Sequence, residues 1–233
     1  ILWLALLLGI VFLAIFGVGF HYIYIDLAGQ PGGFGETDLI ISLLLTAGLY
    51  VVNFLIIMMS VLTSVTAVSG EIESHTVETI LTKPIYRWEF VLGKWLGFAA
   101  MLLVYIVVLV GGIMLVVYLR SGYVVQNLWA GIGLMVLEGL IILSLTIAGG
   151  TRLSTLANGV VAFMLYGLAF IGGWVEQIGA MIENETAVDI GIATSLLMPS
   201  EVLWKKAVAL FQPALANSPL NVGPFAVASE PSS

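Results

Sequence analysis

The stretch from Ser69 to Gly97, SGEIESHTVETILTKPIYRWEFVLGKWLG, sets the terms for everything else in this chain. It gathers Glu71, Glu73, Glu78 and Glu89 with Lys83, Arg87, Lys94 and His75 into one short segment. On either side lie apolar runs of the length that crosses a bilayer, roughly 20 residues each. A chain that concentrates its charge in one connection between two such runs places a water-facing docking element there.

The composition outside that stretch is that of a polytopic membrane protein. The 233 residues are 61% hydrophobic and 9% charged, with a mean hydropathy of +1.13. Soluble domains carry about 25% charged residues, so this sequence cannot clothe a water-facing surface. There is no cysteine, which excludes disulfides and thiolate metal sites. A net charge of -7 argues against nucleic acid, whose phosphates call for clustered Lys and Arg. No cofactor and no metal site are expected.

Around the charged segment five spans are expected, at about 2–25, 40–68, 90–119, 128–150 and 155–175. The first ends in an interfacial belt of Tyr22 and Tyr24. His21 beside it reads as an interfacial histidine or, alternatively, a proton relay. The second carries Asn53 near mid-membrane, where lipid offers no hydrogen-bond partner, as helix–helix glue or a pathway group. The third opens with Gly93 and Gly97 in a GxxxG spacing. The fourth carries Glu138 close to its middle, an intramembrane ionisable group that is either functional or held at a helix interface.

Beyond the fifth span the sequence turns acidic, with Glu176, Glu183, Glu185 and Asp189. Residues 176–212 are expected to form a non-cytoplasmic loop. Within it, Pro199-Ser200-Glu201 opens a short helix with Ser200 as N-cap. Val202, Leu203, Leu210 and Phe211 fall on one side of that helix, the pattern of a helix lying on the membrane surface. Asn184-Glu185-Thr186 matches a glycosylation sequon by a short, common pattern. Residues 213–233 read as a linker. The opening Ile and the Pro- and Ser-rich end are those expected of a chain cut at both ends.

Within the charged stretch, about 71–82 has helix formers without a breaker. Ile72, Thr76 and Ile80 are spaced i, i+4, i+8, with Val77 and Leu81 alongside. Glu71 and Glu73 occupy the first turn, where the helix dipole favours negative charge, and Pro84 stops the helix. Counting basic residues leaves the orientation open. Lys83, Arg87, Lys94 and Arg152 fall on one side and Arg120, Lys205 and Lys206 on the other, a weak positive-inside bias.

These residues also carry a resemblance. GEIESHTVETILTKPIYRWEFVLGKWLG resembles the cytoplasmic loop of ABC-2 type ABC transporter permeases, whose pattern runs E-I-E-S-G-T-x-E, then L-L-x-x-P-I-x-R, then a hydrophobic stretch into G-K. Glu71, Ile72, Glu73, Ser74, Thr76, Glu78, Leu81, Pro84, Ile85, Arg87, Gly93 and Lys94 match it, while His75 stands at the Gly and Ile80 at the first Leu.

The resemblance implies an all-α, six-span, multi-pass permease of the cell's inner (plasma) membrane, truncated at both ends, with five spans visible. It would dimerise or pair with a second permease. Its partner would be a cytoplasmic ABC ATPase, docked on a short coupling helix in the 71–87 loop. Carried over, Glu71, Glu73, Thr76, Glu78, Pro84 and Arg87 belong to that docking surface, with Ile72, Ile80 and Leu81 filling the groove. The same resemblance makes Ser69–Glu89 cytoplasmic.

The function expected is a transport subunit, with export as the expected direction and ATP hydrolysis in the partner. The chain itself has no GxxxxGK[ST] phosphate loop. A proton-coupled transporter or channel using Glu138 is the alternative. An intramembrane enzyme is a third, weakened by having only His21 and His75 and neither HExxH nor GxSxG.

Overall fold

The computed structural model describes residues 2–28, 34–67, 87–125, 127–182 and 184–212, and these form seven helices. In chain order they are α1 (Leu2–Ala28), α2 (Phe34–Ser64), α3 (Arg87–Ser121), α4 (Leu128–Gly149), α5 (Thr155–Met181), α6 (Glu185–Leu197) and α7 (Ser200–Phe211). There is no strand among the described residues. The first five helices are each long and apolar enough to cross a membrane. The chain is a polytopic helical membrane bundle.

Helices α1 to α5 cover the five apolar runs, with ends that differ by a few residues from those expected. The largest differences are the start of α2 at Phe34 and the extension of α5 to Met181. The expected coupling helix at 71–82 and the linker at 213–233 lie outside the described residues.

In lipid the apolar effect does not drive helices together, because the tails are as apolar as the side chains. Close packing and hydrogen bonds must do it. The α1 ridge Phe12, Phe16, Phe20 and Tyr24 stacks at i, i+4 spacing, with successive ring centroids 6.1, 5.9 and 6.3 Å apart. It seats because Gly48 on α2 has no side chain: a Cβ there would lie 2.5 Å from the Phe16 ring. The other flank of α1, with Leu4, Ile15 and Val18, is exposed, as suits a lipid-facing helix.

Most polar residues of α2 bond within their helix or across to a neighbour. Thr46, Thr63 and Ser64 donate back to the carbonyls of Ser42, Met59 and Ser60 at 2.9, 2.6 and 2.5 Å, and the Thr46 hydroxyl also accepts from Gln212 Nε2 just past α7. Asn53 and Ser60 reach across to α4. Ser60 Oγ donates to the Gly139 carbonyl at 3.0 Å. A Cβ on Gly139 would stand 2.9 Å from Leu102, so α2, α3 and α4 meet at that glycine.

At the far end of α4, Asn158 Nδ2 of α5 donates to the Thr146 carbonyl at 2.8 Å. This fixes the tight turn between the two helices. Ser154 caps α5 by accepting from the Ala157 amide, and Asn184 Oδ1 caps α6 by accepting from Ala187 N at 3.2 Å. The sequon asparagine thus has a local structural role.

The loop expected at 176–212 is instead the end of α5 followed by a helical hairpin, α6 and α7. Gly179 faces Ala187, and further back along α5, Gly172 faces Thr194, so α6 runs antiparallel to α5. Its 13 residues rise about 20 Å, less than the roughly 30 Å of a hydrocarbon core. The hairpin dips into the bundle and returns.

The surface helix expected at residues 200–211 is corrected by its burial. The stripe Glu201, Trp204, Ala207, Val208 and Phe211 is buried, while Val202 is exposed and Leu203 and Leu210 are half-buried. The helix is amphipathic as expected, but its apolar face meets protein, chiefly α4, rather than lipid. Phe211 lies over Gly131, where a Cβ would approach its ring to 2.3 Å. The expected N-cap is corrected too. Pro199 occupies the cap position, Ser200 begins the helix, and the Ser200 hydroxyl is buried without a partner.

Candidate functional site

A pocket of about 410 Å³ opens between α2, α5 and α7. Tyr50, Val51, Asn53 and Phe54 line it from α2, Phe163, Tyr166, Gly167 and Phe170 from α5, and Trp204 from α7. Positions 50, 53 and 54 share one helix face, as do 163, 166, 167 and 170, by the i, i+3, i+4 rule. The Tyr50 and Trp204 rings meet edge to face, with centroids 4.8 Å apart. Tyr166 and Phe170 are stacked at 6.2 Å.

Asn53 in this wall is bonded to Glu138, the other polar residue that stood out at apolar depth, which is not among the lining residues. Asn53 Nδ2 donates to Glu138 Oε1 at 3.3 Å, and both residues are buried, at 2% and 1% exposure. The amide turns its N–H toward the carboxyl, as an acceptor requires. That leaves Asn53 Oδ1 and Glu138 Oε2, both buried, without a hydrogen-bond partner. Buried polar atoms are normally satisfied, and these two are closed off inside the contact between α2 and α4.

A second acidic element lies near the same pocket, at the start of α7. Glu201 is 5% exposed and packs on Gly173, whose missing side chain makes the room: a Cβ there would be 2.3 Å from Glu201 Oε1. Burial pushes the Glu201 carboxyl up to about 7, with Lys205 pulling the other way and Glu176 adding to the rise. Lys205 Nζ is engaged with Glu176 Oε2 at 2.7 Å. Sequence reasoning missed Glu201, Tyr50, Tyr166 and Trp204 as companions of Glu138. A Glu three residues before a Trp in an amphipathic helix was legible, but nothing in the sequence said that the helix folds inward.

The charged loop meets the bundle at its two roots. Lys94 Nζ, on the second turn of α3, donates to the Ala67 carbonyl just past the end of α2, and lies over the Phe90 ring, 4.8 Å from its centroid. Glu71, Ile72, Glu73, Thr76, Glu78, Ile80, Leu81 and Pro84 lie outside the described residues. The backbone of Arg87 begins α3, and its side chain also lies outside them. Gly93 and Gly97, the expected close-approach pair, have nothing within 4 Å of the place a Cβ would take, so no described helix packs on them. His21 sits beside Tyr22, with ring centroids 5.8 Å apart and its Nδ1 buried without a partner. It takes no part in the Asn53–Glu138 bond.

Among the described residues, no group of three His, Asp or Glu is placed to hold a metal ion. What the site offers is an aromatic chamber with Asn53 in its wall.

The family model described as ABC-2 family transporter protein aligns with residues 2–221, nearly the whole chain and all seven helices. No curated protein and no solved structure matches significantly. Five membrane-crossing helices, a charged connection between the second and third, and a family match over the full bundle have one reading: this chain belongs to the ABC-2 transporter family, as a multi-pass membrane transport subunit of the kind that works with a cytoplasmic ATPase.

Proposed function

We propose that this chain is the membrane-spanning subunit of an ATP-driven exporter in the inner (plasma) membrane, acting as a homodimer or beside a second permease. It performs no chemistry itself. A separate ATPase docks on the 71–87 loop through Glu71, Glu73, Thr76, Glu78, Pro84 and Arg87, with Ile72, Ile80 and Leu81 in its groove. Closure of the ATPase dimer pushes that loop.

The observation that carries this reading is the match of residues 2–221 to the ABC-2 transporter family. The Lys94–Ala67 hydrogen bond joins the roots of the loop, so a displacement of the loop reaches both α2 and α3. The same α2 carries Tyr50, Asn53 and Phe54 into the pocket wall. A push at the cytoplasmic end therefore reaches the chamber through one rigid helix rather than through a chain of flexible contacts.

The test is charge reversal at Glu71 or Glu78, or Ile80→Asp, in the full-length permease expressed with its ATPase. Loss of ATPase co-purification with membrane insertion intact is expected. Normal co-purification counts against the docking surface.

A second reading is favoured by one observation, the partnerless Glu138 Oε2 at membrane depth. It makes Glu138 the carrier of a proton in a proton-coupled transporter or channel. Transport that persists without ATP and collapses with the proton gradient supports that reading over the first.

A further inference from the structure

We infer that the α6–α7 hairpin is held to the bundle by a proton-operated latch: the start of α7 stays seated on α5 while the Glu201 carboxyl is protonated, and lifts away when it ionises.

The latch sits where three helices cross. Glu176 of α5 stands against Gly191 of α6, where a Cβ would come within 2.4 Å of the Glu176 Cβ. Its carboxylate then reaches α7, accepting from Lys205 Nζ at 2.7 Å. One acid of α5 thus touches both arms of the hairpin. A turn before Lys205, Glu201 enters the niche left by Gly173, where a Cβ would stand 2.3 Å from Glu201 Oε1. Gly173 lies three residues before Glu176, on the same face of α5. Two carboxyl groups and one ammonium therefore share a single part-buried junction.

The charge balance of that junction depends on Glu201. Lys205 gives its bond to Glu176, and those two charges cancel. A protonated Glu201, 5% exposed, adds no charge, and the seated junction is neutral. An ionised Glu201 places a second negative charge in a niche where burial and the like charge of Glu176 both oppose it. Burial pushes this carboxyl up to about 7, with Lys205 opposing the rise and Glu176 adding to it. The other titratable groups that act on Glu201 or feel it are Tyr166 on α5, Glu138 on α4 and Tyr50 on α2, and none of them supplies a positive charge. On α6, Glu185 and Asp189 are exposed, as is Lys206 on α7. Relief comes by moving the start of α7 toward water.

The two ends of α7 are held differently. Its far end is fixed by Phe211 over Gly131 and by Gln212 Nε2, which donates to the Thr46 hydroxyl of α2. Its near end is held by the charged junction. A helix released at its first turn and pinned at its last swings as a unit. Trp204 swings with it, leaving its edge-to-face contact with Tyr50 and its place in the chamber wall. Three spans, α3 to α5, separate the hairpin from the charged loop at 69–89, so the latch reads the pH of the opposite compartment. The seated value lies above the ordinary 4.5, so the released fraction grows as pH rises from 4.5 to 7 and is constant above.

The experiment follows backbone hydrogen exchange by mass spectrometry in the purified full-length permease in a nonionic detergent, across pH 4.5 to 7. Each rate is divided by the intrinsic rate at that pH, so that what remains is local opening. Protection of α7 is expected to fall roughly tenfold or more over this window. Protection of residues 105–113 of α3, where Tyr105, Ile106, Leu109, Val110 and Ile113 are buried, is expected to hold. In Glu201→Gln, nearly the same shape and unable to ionise, α7 protection is expected to stay level with pH. A level α7 profile in the unmutated protein overturns the latch, and that titration needs no variant. A parallel fall in Glu201→Gln overturns it too, as does an equal fall in α3, which is loosening of the whole bundle rather than release of the hairpin.

Discussion

Asn53 Nδ2 donates to Glu138 Oε1 at 3.3 Å across 85 residues of sequence, and this bond fastens the second span to the fourth at the level of the chamber. Ser60 adds a second tie between the same helices through the Gly139 carbonyl, at 3.0 Å. The pair is therefore a structural fastening between the two spans.

Asn53→Leu leaves the Glu138 carboxyl buried without its donor and should cost about 1–3 kcal/mol, the penalty for an orphaned buried group. Glu138→Leu orphans the amide with a similar cost. The double variant Asn53→Leu/Glu138→Leu should be more stable than the sum of the two losses predicts, because no polar group is then left unpaired. Thermal unfolding of the four proteins in one detergent closes the cycle, and strict additivity would contradict the pairing.

The hairpin's burial makes a contrast within α7. Trp204, 1% exposed and packed edge to face on Tyr50, should lose about 3 kcal/mol or more on truncation to Ala, as buried aromatic deletions do. Val202→Ala, two residues away and exposed, should stay within about 0.5 kcal/mol. Gly131→Leu, driven into the Phe211 ring, should destabilise by about 1–3 kcal/mol through overpacking. A helix merely resting on lipid would show no such difference between Trp204 and Val202. Melting temperatures of the three variants decide it.

Glu201 gives a pH dependence with a definite sign. Its folded-state value of about 7 lies above the ordinary 4.5, through burial first, opposed by Lys205 and aided by Glu176. The charged carboxyl is thus disfavoured in the folded protein. Its contribution is most favourable below pH 4.5, declines as pH rises from 4.5 to 7, and is constant above. Tyr50, Tyr166 and Glu138 face the same region from α2, α5 and α4, so the reading must be a difference. The melting temperature of Glu201→Gln minus that of the parent should grow between pH 4.5 and 7. A flat difference would remove Glu201 as its source.

Lys94 offers a test of transmission that leaves docking untouched. Lys94→Met keeps the aliphatic stem but cannot donate to the Ala67 carbonyl. ATPase co-purification should be retained, while transport per ATP hydrolysed falls several-fold. Unchanged coupling would mean that the two roots of the loop need no clamp.

How much of this is legible from residues alone follows from what each signal depends on. Membrane class, five apolar runs and the charged connection come from composition and run length, which are local quantities. Lipid enforces them, since every crossing backbone must satisfy its own hydrogen bonds. Asn53 and Glu138 are each visible as polar groups at apolar depth. Their contact is not, because no periodicity in α2 or α4 states which turns face one another.

The hairpin shows the limit most clearly. The stripe through Trp204, Val208 and Phe211 is legible as an apolar helix face, but an apolar face meant for lipid reads the same as one meant for protein. Gly131, Gly173 and Gly179 make the difference, by leaving room that Phe211, Glu201 and Ala187 occupy. Composition and run length were enough to dictate a helical membrane subunit with one charged connection. That residues 185–211 turn inward was settled only by packing in three dimensions, because a close fit is a property of two surfaces and each is written in a different part of the chain.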